Sequence, residues 1–128
     1  MQGEALADDQ VADLETYLRT LRPAPPVGSS DQSAVTRGAA LFERLDCARC
    51  HAGTALTSNR VADVKLKDEQ GLSKYNPPSL RGVSQNGPYF HDGRAATLEE
   101  VVEKFRHQIT AELSADEVRE LVAFLNSL

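Results

Sequence analysis

Apolar residues recur at helical spacing in four stretches of this chain. In residues 6–21, Val11, Leu14, Leu18 and Leu21 share one face. In residues 34–46, Val35, Ala39, Phe42 and Leu45 track one side, with Asp46 the polar exception. That spacing predicts a helix entered through Ser33 as N-cap. Near the end of the chain, Leu98, Val101, Val102 and Phe105 stand at i, i+3, i+4 and i+7 behind the capping box Thr97-Leu98-Glu99-Glu100. A second box, Ser114-Ala115-Asp116-Glu117, precedes Val118, Leu121, Val122 and Leu125 in the same pattern. Residues 52–96 have no sustained period and hold the turn formers Pro77-Pro78, Gly82, Gly87-Pro88 and Asp92-Gly93. No strand-like alternation stands out, so the predicted class is all-α. An irregular stretch of that length in a compact domain points to a function for it, such as wrapping a ligand.

The first and last stripes are related. LADDQVADLETYLRTL (6–21) aligns with LSADEVRELVAFLNSL (113–128), with identities Leu6/Leu113, Asp9/Asp116, Val11/Val118, Leu14/Leu121, Leu18/Leu125 and Leu21/Leu128. Two amphipathic helices share leucines by default, but the matched Asp and polar first turn favour a true repeat. The second copy closes a domain. Residues 1–22 are therefore expected to be an orphan amphipathic helix, the closing helix of a preceding domain. Residues 23–33, rich in Pro, Gly and Ser, read as a linker, and 34–128 as one domain.

At 128 residues the chain suits one domain. Hydrophobic residues make up 41%, enough for a core, but aromatics are only 5% and Trp is absent. A buried cofactor would supply apolar surface that the side chains do not. The net charge of −5 argues against nucleic acid and anionic membranes as partners and fits a basic docking face. No stretch approaches the ~18 apolar residues of a membrane span, and no basic segment followed by an apolar run opens the chain.

Chemistry concentrates in Cys47-Ala48-Arg49-Cys50-His51. This is C-x-x-C-H, the attachment signature of a c-type haem. The two thiols add across haem vinyl groups as thioethers, and the adjacent histidine is placed to ligate the iron. A structural zinc site wants four N/S ligands, often from paired motifs, whereas this chain has two cysteines in one motif. A redox dithiol wants a βαβ context that is absent, and a disulfide leaves His51 a coincidence. One covalent haem c per chain is the expectation. Such attachment in bacteria takes place outside the cytoplasm, so a periplasmic or otherwise exported location follows. The missing leader then implies a mature form or a piece of a larger exported protein.

Several segments together resemble a known family. Arg37-Gly38-Ala39-Ala40-Leu41-Phe42, Cys47 to His51, Pro78-Ser79-Leu80-Arg81-Gly82-Val83, Pro88-Tyr89-Phe90-His91-Asp92-Gly93, Thr97 to Val102 and the closing LVAFLNSL resemble the C-terminal haem domain of the bacterial dihaem cytochrome c peroxidase family. The resemblance covers about residues 34–128. It implies a cytochrome c-like fold whose haem receives electrons and passes them to an N-terminal, peroxide-reacting haem. A redox partner protein or that adjoining haem domain would be the partner.

The chain departs from the family at the sixth iron ligand. The family's Met, or Tyr in some relatives, follows the Thr97 helix and falls on or near Phe105, which cannot ligate. The only methionine is Met1. His107 is the expected replacement, but a continuous helix would place it about 200° from Phe105, so the helix must end near Phe105. His91 and an open, water-bound iron are the alternatives. Arg81, His91 and Arg94 are candidate partners of the haem propionates, because a guanidinium fork matches a carboxylate. Tyr89 is placed either at the haem edge or in the core. Two functions follow: an electron-transfer module, or a peroxidase-like site with an open sixth position and His107 or His91 as acid–base group. No feature dedicated to gas sensing is found.

Overall fold

The computed structural model describes residues 3, 5–22, 25–28 and 31–128. Met1 lies outside the described residues, as do residues 23, 24, 29 and 30 of the expected linker. Among the described residues the fold rests on helices α1 (Asp8–Thr20), α2 (Gln32–Arg44) and α3 (Ala115–Asn126) and a π-helix (Glu100–Lys104).

The core forms where α2 crosses α3. The buried face of α2 is Gly38, Leu41 and Phe42, rotated from the expected Val35–Ala39–Phe42 side. The reason is Gly38. A Cβ there would run into the Glu120 carbonyl and lie 2.7 Å from Phe124 Cβ, so only glycine lets α3 come this close. Leu41, Phe42, Leu121, Val122 and Leu125 are buried around the crossing, and the Phe42 and Phe124 rings meet at 5.3 Å. Arg37–Glu120 and Arg44–Glu117 ion pairs flank it at 2.5 and 2.6 Å. Burial of each large apolar side chain stabilises by about 1.5–3 kcal/mol. Half-exposed ion pairs contribute about 0–1, so the apolar contacts dominate.

Helix ends follow local chemistry. Ser114 and Glu117 form the expected capping box on α3. Asp31, not Ser33, caps α2: its carboxylate accepts from the Ser33 and Ala34 N–H groups, both at 3.0 Å, and from the Ser33 hydroxyl. A carboxylate suits the positive helix end, so the helix starts earlier than the sequence indicates.

The segment after Thr97 is the larger departure. Phe105 N–H donates to the Glu100 carbonyl five residues back, at 2.9 Å, and His107 N–H to Val101 at 3.1 Å. The helix is therefore π-wound and stops at Lys104, with Arg106 in the left-handed region at φ 45°. Leu98 and Val102 still reach the core.

Residues 52–96 are mostly irregular, with one exception to the all-α expectation. Strands β1 (Ala62–Asp63) and β2 (Lys74–Tyr75) pair antiparallel, Ala62 opposite Tyr75. Two residues per strand are too few to show alternation. Side chains tie the loop down: Thr57 Oγ1 donates to Pro77 O and Ser79 Oγ to Ala55 O, both at 2.6 Å.

Helix α1 stands apart. None of its residues is buried, and it contacts no other element among the described residues. Residues 25–28 do lie on the helical unit: Gly28 N–H donates to Asn126 O at 3.1 Å, and Gln85 donates to Pro25 O.

Candidate haem site

Helix α2 ends at Arg44, and Asp46, in the left-handed region, turns the chain into a 3-10 turn over Cys47–Arg49. That turn sets Cys47, Cys50 and His51 on the wall of a cavity of about 1200 Å³. Leu80 and Val83 come from the loop, and Leu121 and Leu125 from α3. The volume lies above the ~300–1,000 Å³ usual for small-molecule pockets, as a macrocycle needs.

Two imidazoles share this cavity. His51 Nδ1 is 3.3 Å from the Leu56 carbonyl. A carbonyl can only accept, so Nδ1–H donates to it, and this tautomer leaves Nε2 with a free lone pair. His107 lines the same cavity, and its Nδ1 is buried without a hydrogen-bond partner among the described residues. Burial lowers the pKa of both rings, and the unfavourable pairing of two protonated imidazoles lowers His107 further. Both are therefore held neutral, the form in which imidazole binds metal. Burial also pushes the Cys47 thiol up to about 11, so it is no reactive thiolate at neutral pH.

These residues fit a covalent haem. The cavity is roomy and largely apolar-walled, two thiols stand at its edge, and a buried ring nitrogen lacks a partner. A plain metal site fits less well: among the described residues no group of three or more His, Cys, Asp or Glu side chains could hold an ion.

A sequence profile of the cytochrome c family matches residues 35–128. The chain belongs to the cytochrome c family. Membership of the cytochrome c family implies covalent haem c. The chain is 37% identical to cytochrome c551 peroxidase of Nitrosomonas europaea over 69% of its own length and 32% of the relative's. It is 30% identical to cytochrome c peroxidase Ccp of Escherichia coli, over 98% and 32% respectively. It is 33% identical to methylamine utilization protein MauG of Methylorubrum extorquens, over 91% and 43%. A solved MauG-like protein associated with microbial copper homeostasis superposes with TM-score 0.62 at 25% identity, covering 76% of this chain and 47% of that one. The cytochrome c fold and homology to bacterial cytochrome c peroxidases and MauG proteins are thus established. The chain spans a third to less than half of these curated relatives' length. No helix of the described residues is long and apolar enough to cross a membrane.

The other expected site residues divide within this cytochrome c domain. His91 and Arg94 line the cavity and Arg81 does not. Arg81 is exposed, and its N–H is bonded to Ser79 Oγ. His91 faces Asp68 and Tyr75, and Arg94 pairs with Asp92 at 2.6 Å. Tyr89 lines the cavity, packs on the core, and donates to Val83 O at 3.0 Å. Arg60 and Lys65 also line the cavity. Nothing in the sequence marks them, because they sit beside and just beyond a two-residue strand in a segment without period. Phe90, at φ 66°, meets Phe105 and His107 edge-on at 5.4 and 5.6 Å.

Proposed function

We propose that the cavity holds one haem c, bound through Cys47 and Cys50, with His51 and His107 as axial ligands, and that the domain transfers electrons. The observation that carries this reading is the pair of half-buried imidazoles lining one cavity, one with its Nδ1 engaged and the other with its Nδ1 unpartnered. When bound, haem supplies an iron that cycles between ferric and ferrous. The chain's own residues anchor it, exclude water through Leu80, Val83 and the α3 leucines, and set its potential. Two imidazoles hold the potential below that of a His–Met pair. Arg60, Lys65 and Arg94, among the cations that line the cavity, would offset the propionates.

The homology to peroxidases supports a place as the electron-delivering haem unit of a cytochrome c peroxidase-like protein, exported to the periplasm. The electron's destination is a redox partner protein or an adjoining haem domain. Helix α1 supports the second: it begins at the same point of the internal repeat as α3, as the closing helix of a preceding haem unit would.

Expression in a host that matures c-type cytochromes tests the first step. Intact mass should equal apoprotein plus one haem. Apoprotein mass alone, or bound zinc, rejects the reading. A high-spin ferric spectrum would instead favour an open, peroxide-reacting site.

A further inference from the structure

Electron transfer as described makes no use of a second group on the cavity wall. Tyr75 and His91 line the cavity and share a buried carboxylate, Asp68, whose side chain is only 4% exposed. Tyr75 Oη donates to Asp68 Oδ2 at 2.6 Å, and Leu72 N–H donates to Oδ1 at 2.7 Å. His91 Nε2 lies 3.3 Å from Oδ2 and 3.2 Å from Tyr75 Oη. Its ring stacks on Tyr75 at 4.3 Å and 22°.

This arrangement has a defined charge logic. The Tyr75 hydrogen bond, with help from Leu72, holds the Asp68 carboxyl below the usual carboxylate range, so the carboxylate is charged though enclosed. Tyr75 gives its one hydroxyl proton to Asp68, so a neutral His91 ring donates its Nε2 proton to Tyr75 Oη, 3.2 Å away, and Nδ1 is the nitrogen without a proton. With its side chain 41% exposed, His91 is open to solvent protons. The other charged groups facing it, Asp92 and Arg94, pair with each other. Asp68 is the carboxylate that stands within 3.3 Å of the His91 ring. The remaining variable is the charge inside the cavity, which falls by one unit when an electron arrives.

We propose that His91 is a redox-linked proton site. It takes one proton from solvent onto Nδ1 when a one-electron donor reduces the haem, and returns it when the electron leaves. One electron and one proton enter together, so the charge of the cavity and its wall is unchanged. The imidazolium is stabilised by Asp68, and more so once the positive charge in the cavity is lost. The inference rests on the haem reading above but not on the identity of the sixth ligand.

Potentiometric titration of the haem protein between about pH 5 and 9 tests it. The midpoint potential should fall with rising pH over part of that range. For one proton per electron the limit is a tenfold change in the redox equilibrium per pH unit, about 59 mV. His91→Gln should flatten this dependence while leaving haem mass and the ferric spin state unchanged. A slope that survives His91→Gln puts the proton elsewhere, on a propionate for instance, and overturns the proposal. Proton resonance of the His91 ring gives an independent arm: its titration midpoint should be higher in the reduced protein than in the oxidised one. Equal midpoints would also reject the proposal. A sample without haem fails the cofactor reading, whereas one with haem and a flat wild-type potential fails this inference alone.

Discussion

His107 reaches the cavity wall through its backbone, not through side-chain hydrogen bonds. Arg106 before it and Gln108 after it are both left-handed, at φ 45° and 57°. Each such non-glycine residue costs on the order of 1 kcal/mol, and that strain sits on both sides of one imidazole. Strain of this kind persists where the surrounding structure demands it. Here the π-turn at Phe105 and the edge contact with Phe90 fix the ring, and Nδ1 is buried without a partner. The expected outcome of His107→Ala is conversion of a low-spin ferric spectrum to high-spin, with external ligands such as cyanide admitted. His91→Gln, whose ring is engaged by Asp68 and Tyr75, should keep the parent spin state. A His107 variant with the parent spectrum would make His107 a wall residue and no more. The cysteine motif was legible in the sequence because its geometry is local: both thiols and the imidazole lie within five consecutive residues. Arg81 was not, because whether an arginine faces a cavity depends on how an aperiodic loop is tied, here by Ser79.

Among elements, the α2–α3 crossing depends on one missing methyl group. Alanine is the better helix former by about 1 kcal/mol, so propensity alone would favour Gly38→Ala. Contact opposes it, because the atoms met first are the Glu120 backbone and Phe124 Cβ, which cannot swing aside. Overpacking costs about 1–3 kcal/mol, more where backbone must move, so the helices should part. The expected result is a net loss of about 2 kcal/mol in denaturant unfolding of the haem protein, with the Arg37–Glu120 pair weakened as well. An unfolding midpoint at or above wild type would mean that the crossing is looser than described. Helices α1, α2 and α3 were readable because 3.6-residue periodicity persists over three turns in each. The π-winding of Glu100–Lys104 was not, since Leu98, Val101, Val102 and Phe105 satisfy an α-helical pattern equally well; only the need to bring His107 round pointed to a break near Phe105. The β1–β2 ladder left no trace because each strand is two residues long.

For the molecule as a whole, what matters is which parts need one another. The described core joins α2, α3, the π-helix and the loop over one cavity, and α1 contributes nothing to it. Leu14 and Leu18 of α1 are 46% and 53% exposed, whereas Leu121 and Leu125, their counterparts in the repeat, are 2% and 8% exposed. The same stripe is thus buried in one copy and bare in the other. A helix that contacts no other element adds little folding free energy to this domain, and surface substitutions away from buried features usually change stability by about 0.5 kcal/mol or less. A chain shortened to begin at Pro25 keeps the contacts of Pro25 with Gln85 and of Gly28 with Asn126. It should incorporate haem to the same mass increment, show the same ferric spectrum and unfold at the same midpoint. It should also self-associate less, because contiguous exposed apolar surface is where soluble proteins adhere. Failure of the shortened chain to take up haem would make α1 part of the haem unit, and the reading of α1 as the closing helix of a separate unit would fall with it.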